Sequence, residues 1–207
     1  MGVLIMKKST FTGSAWGLFG WSLLGLITSY LSIILFFLFP IYFTNYCKWY
    51  FSKWIIDGKR LVFKYDKPYW GIIGWELFII ITLGFGSYYA FRRILQWQMS
   101  HVHFEDSLEK VSDFDGSAWG LFGWSILSVV SIYLLFIPFI FVYAPLNRWY
   151  DEHTIIDGNR LQFTYRGPAW PVLGWSLFSL LTLGLGSFYA QKRILMWNLS
   201  HTHVELK

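Results

Sequence analysis

A Gly-Trp pair that is followed, seven residues after the Trp, by a hydroxyl side chain occurs four times in the chain. The copies are Gly20-Trp21 with Thr28, Gly74-Trp75 with Thr82, Gly123-Trp124 with Ser131, and Gly174-Trp175 with Thr182. Each copy lies in an apolar run, and a basic stretch that contains Trp follows each run. Self-similarity at a fixed period indicates a repeat architecture, here one unit of roughly fifty residues written four times.

The composition restricts where such units can fold. Hydrophobic residues make up 55% of the chain and charged residues only 14%, whereas soluble domains average about 25% charged. Apolar runs at residues 15–43, 69–91, 118–146 and 169–190 each reach the roughly 20 residues that a membrane-spanning helix needs. We therefore predict an all-α integral membrane bundle of about four transmembrane helices. Such a chain is a multi-pass protein of the cell membrane, and the lipid bilayer is its first partner.

The units are arranged as two tandem halves. Residues 11–22 return as residues 114–125, and a polar, acidic stretch lies between the two copies. We predict a first membrane repeat at residues 1–104, a linker at residues 105–113 and a second membrane repeat at residues 114–207. Each repeat holds two related units, an odd one and an even one.

The charges leave a second topology open. With four single crossings, Lys and Arg divide eight against nine between the two sides, so the positive-inside rule assigns no orientation. The alternative is a set of re-entrant helical hairpins, broken near the repeated hydroxyl, with all loops on one face. In the runs that carry Gly84 and Gly184, where we expect a kink or break, a half-helix reaches only ~20 Å of the ~30 Å hydrocarbon core. Four crossings are the preferred prediction, with the Gly of each Gly-Trp pair allowing close helix approach.

Short β segments are predicted between the apolar runs. Asp57-Gly58 and Asp157-Gly158 are flanked by alternating side chains, which is typical of β-hairpins. The alternation at residues 101–104 and 201–204 predicts single strands, which we expect to pair with the strands that contain Phe11 and Phe114. Small β-hairpin caps on the helical bundle follow.

One segment resembles a known family. Thr82-Leu83-Gly84, followed by Ser87, Ala90 and Arg93, is similar to the Thr-Leu-Gly-Ile-Tyr-x-Pro-Trp-Ala-x-x-Arg signature of the DUF898 (YjgN-like) bacterial membrane protein family, whose function is unknown. Residues 148–158 resemble the continuation of that signature, although Tyr88-Tyr89 stands where the family has Pro-Trp. The resemblance implies a multi-pass bacterial membrane protein and brings no catalytic residues.

Two His-x-His pairs are the candidate metal ligands. On a strand, His101 and His103 point to one side, as do His201 and His203, so two pairs that meet could offer imidazoles to Zn²⁺ or Cu²⁺. The alternative is that each pair only continues an interfacial anchor into a half-buried strand. No Cys or acidic ligand accompanies the pairs, so the prediction is no cofactor, with Zn or Cu at these histidines as the hypothesis to test.

The remaining candidates are hydroxyls and interfacial anchors. Hydroxyls near mid-helix could line a pore, or they could bond to their own helix and tighten packing; the candidates are Thr28, Thr82, Ser131 and Thr182. Trp at headgroup depth with a neighbouring basic side chain is typical of an interfacial anchor; the candidates are Arg93, Trp97, Trp149, Arg193 and Trp197.

These features favour a non-catalytic function. The sequence contains no triad spacing, metalloprotease motif or phosphate loop, and we predict that the chain is not an enzyme. The predicted function is that of an accessory or protective membrane protein that binds a partner, either another membrane protein or a second copy of the chain. The alternative is a small transporter or channel built from the internal repeats. No nucleic-acid motif accompanies the net charge of +5, so we predict no nucleic-acid partner.

Overall fold

The computed structural model describes residues 8–31, 38–65, 67–107, 110–134 and 138–205. The first half contains β1 (Thr10–Phe11), α1 (Ala15–Leu31), α2 (Leu38–Phe51), β2 (Trp54–Ile56), β3 (Lys59–Phe63), α3 (Gly71–Ile81), α4 (Ser87–Ser100) and β4 (Val102–Phe104). The second half contains β5 (Asp113–Phe114), α5 (Ala118–Tyr133), α6 (Phe139–Glu152), β6 (Thr154–Ile156), β7 (Asn159–Phe163), α7 (Trp170–Leu181), α8 (Ser187–Ser200) and β8 (Thr202–Val204). The tandem repeat of the sequence is therefore a tandem repeat of structure.

Each half forms one four-stranded antiparallel sheet, with strand orders β1-β2-β3-β4 and β5-β6-β7-β8. The predicted hairpins are confirmed: β2 pairs with β3 and β6 with β7, and the turn residues Asp57 and Asp157 have positive φ angles of 49° and 50°. The expected pairing of the His-containing strands with Phe11 and Phe114 is wrong. Those strands pair with β3 and β7 instead, because every connection returns the chain to the neighbouring strand.

Each apolar run folds as two helices that contact each other and whose outer ends lead to strands. Within the described residues, no helix has the length and hydropathy needed to cross a membrane. Helix α1 has 17 residues and α3 has 11, which correspond to about 25 Å and 16 Å of a ~30 Å hydrocarbon core. The prediction of an all-α integral membrane bundle with transmembrane helices is therefore wrong, as is the multi-pass localisation. The fold combines helices with two sheets.

The hydrophobic core lies at the sheet end of the molecule and belongs to both halves. Its members are buried apolar side chains from strands and from the strand-proximal parts of helices: Phe11, Leu18, Cys47, Phe51, Ile56, Leu61, Phe63, Val102, Phe104, Ile156, Leu161 and Leu199. Strand β2 contacts β8 and β4 contacts β6, while α1 contacts α8 and α4 contacts α5. The two halves are thus interlocked through one core.

The repeated Gly-Trp glycines do not lie at close helix contacts. A Cβ added at Gly20, Gly74, Gly123 or Gly174 would meet no atom within 4 Å, so the expectation that these glycines allow close approach is wrong. Close packing falls instead on Gly17 and Gly120, where an added Cβ would collide with the rings of Trp49 and Trp149.

Candidate functional site

Two turns between helices present large apolar side chains to the outside. The turns join α3 to α4 and α7 to α8, and we call residues 81–87 and 181–187 the apolar turns. Leu83 and Phe85 are 86% and 92% exposed, and Leu183 and Leu185 are 92% and 91% exposed. Because each helix pair begins and ends at a strand, both turns lie at the helical end of the molecule, away from the sheets.

The backbone N–H groups of each apolar turn form hydrogen bonds within the turn or the preceding helix. Leu83 donates its N–H to Ile80 at 3.0 Å and Gly84 donates to Ile79 at 2.8 Å. The Thr82 hydroxyl donates to the Phe78 carbonyl at 2.8 Å and accepts from the Gly86 N–H at 3.0 Å. Every N–H from residue 82 to residue 87 finds an acceptor in the same turn or helix, and the same holds from residue 182 to residue 187. The backbone N–H groups of the turns therefore need no water as a hydrogen-bond partner.

A leucine occupies the left-handed position of each turn. The pair of bonds from Leu83 and Gly84 forms a Schellman motif, in which the residue with positive φ is usually Gly. Leu83 and Leu183 both have φ near 50°, a conformation that costs an L-residue with a side chain about 1 kcal/mol. Both turns thus accept backbone strain and expose a leucine where Gly would be easier.

The helical end as a whole is apolar. Exposed large hydrophobic side chains continue along α1, α5 and α7, for example at Leu26, Val129 and Leu180. Residues 77–91 and 177–191 contain no charged side chain. Monomeric soluble proteins rarely expose contiguous apolar patches beyond about 600 Å², and larger ones mark interaction surfaces. The helical end is therefore a candidate binding surface for an apolar partner.

The predicted hydroxyls bond to their own helices or turns. Thr28 donates to Leu24 and Gly25 at 2.8 and 3.1 Å, and Ser131 donates to Leu127 at 2.6 Å. Thr182 forms the same turn contacts as Thr82. These bonds make the hydroxyls part of the helix ends and turns, and the transporter or channel alternative stays a prediction without a specific contact in its favour.

The predicted anchors lie among aromatic side chains at the junction of helices and sheets. The Trp97 ring stacks on Tyr69 with 3.8 Å between centroids, Trp149 lies 6.0 Å from Phe114, and Trp197 lies 5.1 Å from Tyr165. The two arginines lie further toward the apolar turns. Arg93 donates to the Tyr89 hydroxyl at 2.9 Å, and the Arg193 guanidinium lies over the Trp175 ring at 5.2 Å.

The four predicted histidines have two different roles. His101 and His201 each place Nδ1 near a carbonyl of the preceding helix turn, at 2.7 and 2.8 Å from Trp97 and Trp197. Among the described residues, no group of three or more His, Cys, Asp or Glu side chains is placed to hold a metal ion. The Zn or Cu hypothesis stays untested.

His103 and His203 join the two halves. His103 Nδ1 lies 2.6 Å from Asp157 Oδ1, and His203 Nδ1 lies 2.7 Å from Asp57 Oδ1. The second oxygen of each carboxylate accepts a backbone N–H from the strand that carries the histidine. We call these two contacts the His–Asp clasps. The sequence contained their signal, an Asp at each hairpin turn, but the turn alone had explained that residue.

The carboxylate of Asp157 is adapted to its clasp. Burial alone raises the pKa of Asp157, but the Ser107 hydroxyl, the His103 ring and the Phe104 N–H outweigh burial, and the pKa is lowered from its usual value. The charged carboxylate of Asp157 is therefore the favoured form in the folded protein, with the His103 ring and the Phe104 N–H as its partners.

A second carboxyl group that the sequence did not indicate is Asp151, at the end of α6. Burial is the main cause that raises the pKa of Asp151 to about 7, although the Thr202 hydroxyl donates a 2.7 Å hydrogen bond to it. A carboxyl group with this pKa exchanges a proton near neutral pH, which gives the second half a half-buried titratable site.

Comparisons with protein-family models, with curated proteins and with solved structures found no match for this chain. The resemblance to the DUF898 (YjgN-like) family therefore stays a prediction, and function has to be inferred from the geometry.

Proposed function

We propose that the protein is a non-catalytic protein that binds the surface of a lipid bilayer by placing its apolar turns in one leaflet, without crossing it. The observation that carries the proposal is that the backbone N–H groups of the two turns are all bonded within their own turn or helix, while the leucine and phenylalanine side chains are exposed. In water, a turn can leave a backbone N–H to donate to a water molecule, whereas hydrocarbon offers no hydrogen-bond partner to a free N–H.

The depth of insertion follows from the positions of the charges. Arg193 comes seven residues after Gly186 in α8, which places its Cα about 10 Å from the turn along the helix. Arg93 has the same spacing from Gly86. Interfacial elements bury about 5–10 Å into the boundary of headgroups and acyl chains. The turns can therefore lie among acyl chains while the arginines stay at the headgroups.

The energy of transfer is sufficient for binding. Moving a fully exposed Leu or Phe side chain out of water gains about 1.5–3 kcal/mol. Leu83, Phe85, Leu183 and Leu185, all more than 85% exposed, together gain about 6 kcal/mol by the lower value. The sheets stay in water at the opposite end, where the exposed Lys59 and Arg60 offer a polar surface to a partner. A protein held in this way is suited to an accessory or protective role.

Site-specific fluorescence tests the proposal. A polarity-sensitive dye on Leu185→Cys is expected to shift to shorter wavelength with phosphatidylcholine vesicles and to be quenched by brominated acyl chains. The matched control is Val111→Cys, because Val111 is 79% exposed but precedes β5 at the sheet end. Native Cys47 is fully buried and is not expected to react. An unchanged spectrum at position 185, or the same response at both positions, contradicts the proposal.

A binding assay gives an independent test. The double variant Phe85→Ser/Leu185→Ser is expected to bind the same vesicles at least tenfold more weakly, because it loses about 1.5–3 kcal/mol at each turn. Val111→Ser is the control and should bind as the unmodified protein does. Equal binding by both variants contradicts a role for the turns.

A further inference from the structure

A small cleft of about 270 Å³ lies where β1 of the first half meets α8 of the second half. Lys8 and Arg193 supply two positive charges to it, and Thr10 and Ser200 contribute hydroxyl groups. Among the described residues, no acidic side chain lines this cleft. The side chains that line the cleft are suited to an anion, since Lys and Arg donate charge-assisted hydrogen bonds to phosphate oxygens.

We propose that this cleft binds the phosphate ester of a lipid headgroup. The inference rests on the proposed function, because insertion of the apolar turns is what brings Arg193, the side of the cleft nearest the turn, to the depth of the headgroups. The ligand chemistry is a phosphate monoester, as in phosphatidic acid, and a soluble phosphate monoester presents the same group.

Arg193 is held in place but keeps its donors available. Its guanidinium lies 5.2 Å from the ring centroid of Trp175 and 5.7 Å from that of Tyr189, so the aromatic rings orient it from one side. Within the described part of the chain, the contacts of the Arg193 guanidinium are these two rings and no hydrogen-bond acceptor. A planar donor group with this freedom is suited to bind two phosphate oxygens at once.

The carboxylate behind the cleft is already used. Ser9 lies in the cleft wall and contacts Asp57 at 3.5 Å. The Asp57 oxygens accept from His203 and from the Val204 N–H at 2.7 and 2.8 Å. The Ser9 hydroxyl itself donates to the Thr202 carbonyl at 3.0 Å. The Ser200 hydroxyl likewise donates to the Trp197 carbonyl at 2.7 Å. The donor groups left for an anion are therefore those of Lys8, Arg193 and Thr10.

The equivalent place in the other half differs in charge. There β5 lies against α4, as β1 lies against α8, but Val111 and Asp113 stand at the positions of Lys8 and Thr10. Arg93, the counterpart of Arg193, donates to Tyr89 and to the Gln96 side chain at 2.9 and 3.3 Å. One cation is missing, a carboxylate is added, and the arginine is occupied. The chain thus contains its own control for the cleft.

Vesicle binding of matched variants tests the inference. Adding phosphatidic acid to phosphatidylcholine vesicles is expected to raise the affinity of the unmodified protein about tenfold or more, since a basic residue near an anionic surface contributes about 1 kcal/mol. Arg193→Gln and Lys8→Gln should each lose about five-fold of this gain and keep their binding to pure phosphatidylcholine. Arg93→Gln should lose less of the gain than Arg193→Gln, because the Arg93 side chain already donates to Tyr89 and Gln96.

The outcomes separate this inference from the proposed function. If Arg93→Gln loses as much affinity as Arg193→Gln, the attraction is diffuse and the cleft is not a site. If binding to phosphatidylcholine is absent from the start, the proposed function fails. The cleft is then judged by calorimetric titration of glycerol 3-phosphate without vesicles, where heat that disappears in Arg193→Gln supports a site for soluble esters and contradicts the lipid source. Absence of heat in that titration overturns the cleft as well.

Discussion

The two halves of the chain fold alike but fill one pair of equivalent positions in opposite ways. In the first half, Phe51 and Val102 are 5% and 0% exposed, and the Phe51 ring stacks on Phe63 with 5.9 Å between centroids. In the second half the equivalent residues are Asp151 and Thr202, which form a carboxyl–hydroxyl hydrogen bond of 2.7 Å. The same backbone therefore encloses an apolar contact in one half and a polar pair in the other.

This difference connects stability to protons in the second half only. Burial of a charged carboxylate is unfavourable unless partners compensate, and one hydroxyl leaves the pKa of Asp151 raised to about 7. Thr202 lies beside His203, whose clasp to Asp57 holds the halves together. Asp151 binds Thr202, and the next residue, His203, joins the halves, so a proton at Asp151 acts close to that junction. The first half has no carboxyl group at the equivalent position.

The largest effect on stability is expected when the buried Phe51 side chain is removed. Phe51→Ala deletes a buried aromatic side chain and should lower the free energy of unfolding by about 3–5 kcal/mol. Asp151→Ala removes a carboxyl group that burial disfavours, and at pH 8 it should cost much less. Denaturant titration of both variants measures the two changes. Similar losses would show that the two positions are equally packed and would remove the contrast.

The next effect is the pH dependence of the second half. The folded-state pKa of Asp151 lies near 7, above its usual 3.8, so the protonated form stabilises the fold below pH 4. That contribution is lost as the pH rises from about 4 through 7. Asp151→Asn should flatten the decline in the free energy of unfolding between pH 5 and pH 8, by about 2 kcal/mol. Phe51→Tyr, a change at the matched position, should leave the slope unchanged. A slope that persists in Asp151→Asn assigns the titration to another group.

The two His–Asp clasps differ in burial, and a third prediction follows from that. Asp157 is 3% exposed and Asp57 is 28% exposed, so Asp157→Asn should cost about 2 kcal/mol at pH 6 and Asp57→Asn about half as much. The pKa of Asp157 is lowered, so its contribution is present above pH 4 and is lost as the pH falls through the folded-state pKa. Thermal unfolding at pH 6 and pH 3 measures both variants. Equal costs at pH 6 contradict the difference in burial, and a cost for Asp157→Asn that does not shrink at pH 3 contradicts the role of the charged carboxylate.

Local features of the fold could be predicted from the sequence. The Asp-Gly turns specify left-handed backbone, and they became hairpins with positive φ at Asp57 and Asp157. The break expected at Gly84 and Gly184 is present, because Gly accepts the positive φ of 87° and 85° found there. These predictions depend on the conformational freedom of single residues, which the sequence states directly.

Features that depend on the path of the chain could not be predicted. The apolar content of residues 69–91 is compatible with one long helix, and the break expected at Gly84 does not decide between a kink and a reversal. In the structure the chain reverses there, and the Thr82 hydroxyl accepts from the Gly86 N–H. The His–Asp clasps join residues 54 and 146 positions apart, so they require the arrangement of both sheets. In the sequence, Asp151 is one more charge at a helix end. Its raised pKa depends on the packing of β8, which carries Thr202, and the sequence does not show that packing. Composition therefore measures how much surface is apolar, but not which partner covers it.

The smallest effect is expected where the two halves do not differ, at the leucines with positive φ. Leu83→Gly and Leu183→Gly remove a left-handed leucine that is 86% or 92% exposed. Relief of strain should raise the free energy of unfolding by about 0.5–1 kcal/mol in each variant, since Gly adopts that conformation freely. Each variant should also bind phosphatidylcholine vesicles more weakly, because a leucine worth about 1.5 kcal/mol or more of transfer energy is lost. Stability measured by thermal unfolding and affinity measured by co-sedimentation should thus move in opposite directions, by equal amounts in the two halves. If the free energy of unfolding falls together with the vesicle affinity, the leucines contribute to packing within the folded chain, which contradicts their role as strained, exposed residues.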